Sequence, residues 1–379
     1  VSAFIVEGGP VAGAEGQRSG PTIYSVAERA GVSIASVSRV LQGSATVSEQ
    51  TRERVLAAAQ ELKYVPLNAA RALAVRHHEA HGLVLPELAG PYYSELLMGY
   101  ESRAAELGQS VVLMLAEGKS DLGKALRRLA TRVDGLAVLG SAAIPADAVS
   151  SLHGSKPIVV ISGDPMPDAE VVTSENVESA RALVAHVLGH GREHVLFVGD
   201  PDAGPDFRDR YAGFVAAHAD AGRDTPPEPA RIDLRESDGA AFADNFVAER
   251  SPADALVCAN DELALAIMKR LQECGVEVPK DVAVVGWDDV MTARYVVPGL
   301  TTVRQPVREL GALAADRLHE RITGRAVDGN ARVLPTHLVL RGSCGCAAPT
   351  ATDVPASPTR HTPRTSRPAS RPERKERNR

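Results

Sequence analysis

The sequence predicts a small all-helical head joined to a two-lobed α/β body, and three observations carry that prediction. Residues 22–65 place apolar side chains at helical spacing, broken by a glycine and restarted by serines. From His81 onward, short apolar runs alternate with helix-like stretches. At 379 residues the chain is also longer than one hydrophobic core usually serves.

Composition narrows the class. The apolar content is ordinary, and no run approaches the roughly 20 residues needed to span a bilayer. The opening VSAFIVEGGPVAGAEGQRSG lacks a basic start followed by an apolar stretch, so residues 1–21 read as a disordered extension rather than an export signal. Four cysteines, Cys258, Cys274, Cys344 and Cys346, form no disulfide framework, and a reducing cytoplasm fits them. The net charge of −6 conceals a basic end. Beyond residue 350 there are eight Lys or Arg against three acids, in a Pro/Ser/Arg-rich context that cannot bury a core; residues 346–379 read as a disordered tail.

In the head, Thr22 is placed to cap a first helix whose Val26, Ala27 and Ala30 share one face. Gly31 stops it, because a sharp turn there needs positive φ. Ser33 restarts the chain as the cap of IASVSRVL, with Val37, Val40 and Leu41 inward. Ser48 caps a third helix, which carries Glu49 in its first turn and Val55, Leu56, Ala59 and Leu62 toward the core. This is a helix-turn-helix, whose second helix enters the major groove of duplex DNA. Ile34, Ala35 and Arg39 are its exposed candidates: Arg39 can bond guanine O6 and N7 together, and the other two offer apolar contact to a thymine methyl. Thr22, Tyr24, Ser33, Ser36 and Ser38 carry hydroxyls suited to phosphates, and Gln42 ends the reading helix. After Pro66, the segment LNAARALAV is too short to hold a helix alone in water.

VAERAGVS-x-x-SVSRVL, VS-x-x-TRERV and Y-x-P-x-x-x-AR-x-L together resemble the lactose-repressor/galactose-repressor family of bacterial transcription regulators, over residues 22 to about 345. The resemblance implies that residues 66–79 are a hinge helix and linker that folds on operator DNA. Leu73 would then be a minor-groove wedge, with Asn68, Ala70 and Arg71 beside it. Leu67 stands where the family usually has Asn directly after the proline, and Gln42 replaces a common Asn.

In the body, HGLVLPEL, SVVLMLAE, VDGLAVLG, PIVVIS, HVLFVGD, DALVCAND and DVAVVGWDD read as strands. YSELLMGYESRAAELG, VESARALVAHVLG, FRDRYAGFVAAHADAG and DELALAIMKRLQECG read as helices. Such alternation predicts parallel sheets covered by helices on both faces. The resemblance implies two lobes like those of periplasmic sugar-binding proteins within residues 80–345: the first from 80–174 and 304–333, the second from 175–303 and 334–345. Ligands of open α/β sheets sit beyond the carboxyl ends of strands, where Asn260, Trp287 and Asp288 fall; Tyr92 and Tyr93 follow the first strand and could stack on a sugar face. The resemblance makes Arg210 and Asp288 the holders of ligand hydroxyls, with Asn260 assisting. Leu234 stands where a stacking aromatic is common, and Asp206 where a small hydroxyl residue is common. Gly204 stands where the purine-sensing branch has an arginine, so a sugar is favoured over a purine.

Other signals are set aside. His190-Gly191-Arg192-Glu193-His194 matches H-x-x-E-H, but its histidines straddle a helix end and a strand start, which does not build a zinc-protease site. Cys344-Gly345-Cys346 is a bare pair without His or Cys partners at ligand spacing and reads as reduced thiols. No catalytic residue, cofactor or metal is expected. The whole reading is a cytoplasmic, nucleoid-associated repressor acting as a homodimer on near-palindromic double-stranded operator DNA, released by a small molecule, with no membrane partner. An extracytoplasmic sugar-binding protein would need an export signal and no helix-turn-helix; a hydrolase would need Glu193.

Overall fold

The computed structural model describes residues 21–41, 46–64, 77–142, 144–145, 148–149, 152, 156–166, 169–223, 226–325 and 331–347. The hinge positions Asn68, Ala70, Arg71 and Leu73, as well as Gln42, lie outside the described residues, as do most of both terminal segments.

Three helices make the head: α1 (Ile23–Ala30), α2 (Ile34–Leu41) and α3 (Glu49–Glu61). Thr22 and Ser25 cap each other's backbone, and Gly31 sits at φ 62, ψ 42, a left-handed conformation that glycine adopts without steric cost. Ser33 caps α2 by accepting from the Ser36 amide at 3.2 Å. Ser48 does the same for α3 through Thr51. Val26, Val37 and Val55, all fully buried, meet at the centre of a core completed by alanines. One expectation fails: Leu56 is 49 % exposed, and Ala58 takes the inward place. Residues 55, 58, 59 and 62 form a stripe at i, i+3, i+4 and i+7, and Leu56 lies off it by one residue's rotation.

In the body, a six-stranded sheet runs in the order β10-β5-β4-β3-β1-β2. Its strands are β1 (Ala80–Leu85), β2 (Ser110–Leu115), β3 (Gly135–Leu139), β4 (Ile158–Ile161), β5 (Glu170–Ser174) and β10 (Arg332–Leu334), and every neighbouring pair is parallel. Alternation along β3 decides which core each residue joins. Leu136 and Val138 pack beneath α5 (Leu122–Ala130), whereas Ala137 and Leu139 face α4 (Pro91–Glu106) and α10 (Val307–Ile322). With both faces covered, strands need apolar residues at every position, which is the run-like pattern seen in the sequence.

The second sheet is β6 (Val195–Val198), β7 (Ala255–Cys258) and β8 (Ala283–Val285), again parallel. Val195, Phe197, Ala255 and Val257 point to α6 (Val177–Gly189) and α7 (Pro205–Asp220). Val198, Leu256, Cys258 and Val284 point to α8 (Glu236–Ala248) and α9 (Asp261–Glu273). The antiparallel pair β9 (Thr302–Arg304) and β11 (His337–Val339) packs on the second lobe, whose core takes Val303 and Leu338. Asp289 braces it, accepting from Arg304 at 2.7 Å and also from Arg341. Among the described residues no helix is long and apolar enough to cross a membrane.

Candidate functional sites

The helical head presents α2 as sequence reasoning expects. Ile34 is 42 % exposed, Ala35 and Arg39 are exposed, and Tyr24 projects from α1 at 68 % exposure. Ser33 is exposed, whereas Ser36 and Ser38 are half-buried. A residue missed in the sequence holds this geometry: Arg54 of α3 donates to the carbonyls of Ala30 and, at 3.2 Å, Gly31. A guanidinium thereby satisfies the orphan carbonyls where α1 ends. Arg29 and Glu61, 2.7 Å apart, tie α1 to the end of α3.

The cleft between the two sheets holds a cavity of about 80 Å³ and is lined from both sides by residues just past strand ends. Glu87 follows β1, Ser141 follows β3, Ser162 follows β4, Asn260 follows β7 and Asp288 follows β8. Tyr92 and Tyr93, at the start of α4, meet edge to face with centroids 5.5 Å apart. Burial keeps both phenols protonated, raising Tyr93 to about 12 and Tyr92 further, so each can donate a hydrogen bond.

Arg210 is the centre of the second-lobe wall. Only 4 % exposed, it donates from Nε to Asn176 Oδ1 at 3.0 Å and from Nη1 to the Ala259 carbonyl at 2.6 Å. Asp206, one helical turn earlier, lies 3.9 Å from Nη2 and accepts from Asn176 at 3.2 Å. The guanidinium is sandwiched by Trp287 and Phe207, at 4.7 and 5.1 Å from the ring centroids. Such a side chain is locked before any ligand arrives, which lowers the entropy cost of binding.

Asp288 completes the site. Its backbone has φ 122, and Gln305 Nε2 donates to its Oδ1 at 2.6 Å. Burial raises its carboxyl to about 8, against the pull of Arg210. Asp206 is raised for the same reason and opposed by the same arginine. Glu262 is raised by burial and then by Glu87 and Glu236. Four acids and one arginine therefore line a cleft rich in acceptors, with two tyrosine donors.

Sequence reasoning placed Tyr92, Tyr93, Arg210, Asn260 and Asp288 here, and all five line the cleft. Asn260 also caps α9, accepting from the Leu263 amide at 3.0 Å. Trp287 needs correction: at 2 % exposure it lies in the core of the second lobe and reaches the cleft only by backing Arg210. Glu87, Ser141, Ser162, Glu262 and Phe207 were missed. The strand-end rule that found Asn260 and Asp288 would have found the first three. Leu234 does line the cleft, in the place where the resemblance implies an aromatic.

A second cluster lies at the far end of α6. His186 and His190 stand with Cys344 and Cys346, their ligand-type atoms all within 4.8 Å of one another. The expectation that the cysteine pair lacks histidine partners is overturned, because a chain separation of 158 residues is closed by the fold. His194, by contrast, is held at the start of β6 by Asp254, which accepts from its amide at 2.9 Å, so the H-x-x-E-H histidines stay apart in role.

Comparison with known proteins decides the family. Residues 22–67 match the model of bacterial regulatory proteins of the lacI family, and residues 184–344 match a periplasmic binding protein-like domain. The HTH-type transcriptional repressor PurR of Aliivibrio fischeri (strain MJ11) is 30% identical over 330 residues, 85% of this chain and 98% of that protein. The chain belongs to the lacI family. It is accordingly a DNA-binding transcriptional regulator and not an enzyme. Another lacI-family relative, the repressor CytR of Escherichia coli (strain K12), is 28% identical over 87% of this chain and 98% of its own length. The lac repressor dimer bound to operator and the anti-inducer ONPF superposes with a TM-score of 0.78 at 30% identity, covering 86% of this chain and 99% of that one. The CelR–cellobiose complex gives 0.64 at 30% identity, covering 85% and 99%.

Proposed function

We propose that this regulator is a homodimeric repressor whose grip on a near-palindromic operator is released when a neutral, hydroxyl-rich ligand, a sugar, closes the cleft. Residues 22–65 read the major groove, residues 66–79 form the hinge, and residues 80–345 sense the ligand through lobes at 80–174 with 304–333 and 175–303 with 334–345. Ile34, Ala35 and Arg39 contact bases. Thr22, Tyr24, Ser33, Ser36, Ser38 and Gln42 contact the backbone. Asn68, Ala70, Arg71 and Leu73 serve the minor groove. A regulator of this kind works in the cytoplasm, on the nucleoid.

The observation that carries the ligand reading is Arg210, fixed by Asn176, Asp206 and Ala259, in one cleft with Asp288. A polyol needs donors and acceptors side by side, and this pair supplies them. With Arg210 as the only cation among the described lining residues, and already beside Asp206, the cleft offers an anionic ligand little to pair with. That one structural relative was solved with cellobiose points the same way. For the dimer, the lac repressor was solved as one. Here Met291, Tyr295 and Val297, at 66, 70 and 85 % exposure, leave apolar surface open within one short segment.

A thermal-shift screen of neutral sugars and nucleosides, followed by an operator gel shift with each hit, tests the proposal. A sugar that stabilises the chain and releases DNA supports it. Stabilisation by nucleosides alone, with tighter DNA binding, overturns both the ligand class and the direction.

A further inference from the structure

We propose that His186, His190, Cys344 and Cys346 form a tetrahedral zinc site, separate from the ligand cleft, that clasps residues 342–346 onto the second lobe. The two histidines come from one face of α6 and its cap, four residues apart, a spacing that stacks side chains one turn above another. The two cysteines flank Gly345, whose φ of 108 lets the backbone fold back so that both sulfurs face one point.

The distances are those of a coordination shell. Zinc lies about 2.0–2.1 Å from imidazole nitrogen and about 2.3 Å from thiolate sulfur, so in a tetrahedron two nitrogens stand about 3.3 Å apart and nitrogen stands about 3.6 Å from sulfur. The Nε2 atoms of His186 and His190 are 3.2 Å apart. His186 Nε2 is 3.4 Å from Cys344 Sγ and 3.3 Å from Cys346 Sγ, and His190 Nε2 is 3.4 Å from Cys346 Sγ. Four measured edges thus fall within a few tenths of an ångström of the ideal figure. Two imidazoles and two thiols thus converge within the reach of one ion, the mixed nitrogen and sulfur donor set that zinc takes.

The surroundings fit a thiolate as well. Thr301 Oγ1 lies 2.9 Å from the Arg341 carbonyl and 3.1 Å from Cys344 Sγ, so its one proton can turn to a metal-bound sulfur there. Cys344 now donates to the Arg341 carbonyl at 3.3 Å. Zinc binding replaces that proton and the one on Cys346, so two protons leave as two Zn–S bonds form. Four protein ligands leave no open position, which is the signature of a structural rather than catalytic centre. The helix that carries the histidines begins beside Asn176, the buried partner of Arg210, about 20 Å away along its axis, so the metal braces the far end of the helix that supports Arg210.

The test uses the full reduced chain, zinc analysis after desalting, and cobalt(II) as a spectroscopic probe. The expected result is about one zinc per chain, strong ligand-field bands of tetrahedral cobalt with thiolate charge-transfer absorption, and a lower Tm after chelation. His190→Ala and Cys346→Ser alter side chains at the surface of the cluster and leave the buried Cys344 in place. Each should weaken cobalt binding by about tenfold or more while the chain stays folded by circular dichroism. Binding that both variants retain in full, an octahedral cobalt spectrum without charge transfer, or no metal uptake by the reduced wild-type chain would each overturn the proposal.

Discussion

Asp288 shows how burial makes a carboxyl hold its proton. Its folded value of about 8 stands well above the ordinary 3.8, with burial the leading cause; the groups facing it are Arg210, Asp261, Glu262 and the Gln305 amide. Because the folded chain holds the proton more tightly than the unfolded chain, this stabilising contribution is complete below about pH 4. It is lost as pH rises toward 8. The Tm of the unliganded protein should therefore fall across that window, and Asp288→Asn should flatten the fall. Asp261, raised to about 7 by burial, keeps part of the slope. A ligand hydroxyl donating to Asp288 favours the carboxylate, so sugar affinity should rise with pH to about 8 in the wild type and lose that dependence in the variant. A pH-independent wild-type affinity, measured by calorimetry, would remove Asp288 from direct ligand contact. In the head, Arg39→Ala should cost about 1–3 kcal/mol on the preferred operator and relax one base pair per half-site. Equal losses on all sequences would make Arg39 a phosphate contact.

Elements were legible where their signal was local. The caps at Thr22, Ser33 and Ser48 and the glycine stop at Gly31 are properties of a few adjacent residues, and each stands where the sequence implies. Arg54 was not legible, because its partners at Ala30 and Gly31 come from another helix. Arg54→Ala should cost the head about 1–2 kcal/mol, since a charged donor to two turn carbonyls is lost at a partly exposed site. Faster amide exchange in α1 and α2, with the body unchanged, would register it. Two ion pairs also join the lobes: Arg208, in the first turn of α7, to Asp164 at 2.6 Å, and Arg235, just before α8, to Glu117 at 3.3 Å. Both are solvent-exposed, so their loss is modest and screened by salt. A chain with Arg208→Ser and Arg235→Ser should bind its ligand only about two- to fivefold more weakly at low salt and equally at high salt. A hundredfold loss would mean that these arginines touch the ligand itself.

The whole molecule couples a DNA reader to a sensor, and the parts least visible in sequence are those where distant segments meet. Alternating runs revealed both sheets, yet β5, β9, β10 and β11 escaped because they are short or carry polar residues such as Glu170, Arg304 and Arg332. The cleft was half-read: Arg210 and Asp288 followed from motif, whereas Phe207 and Glu262 sit on helices and join the lining only once the two sheets face each other. The histidine–cysteine cluster shows the same limit, since spacing rules see only neighbours in chain. At this scale, ligand and operator are tied by one coupling factor, so a ligand that weakens DNA binding tenfold must itself bind tenfold more weakly to the complex. The central claim is that paired heads grip twofold-symmetric DNA selectively. It is tested most directly by selecting genomic fragments on the purified chain at moderate salt and footprinting those retained. The account predicts a few fragments, each protected over two half-sites related by a dyad and released by Arg39→Ala. Retention of fragments without sequence preference, reversed by salt alone, would contradict it.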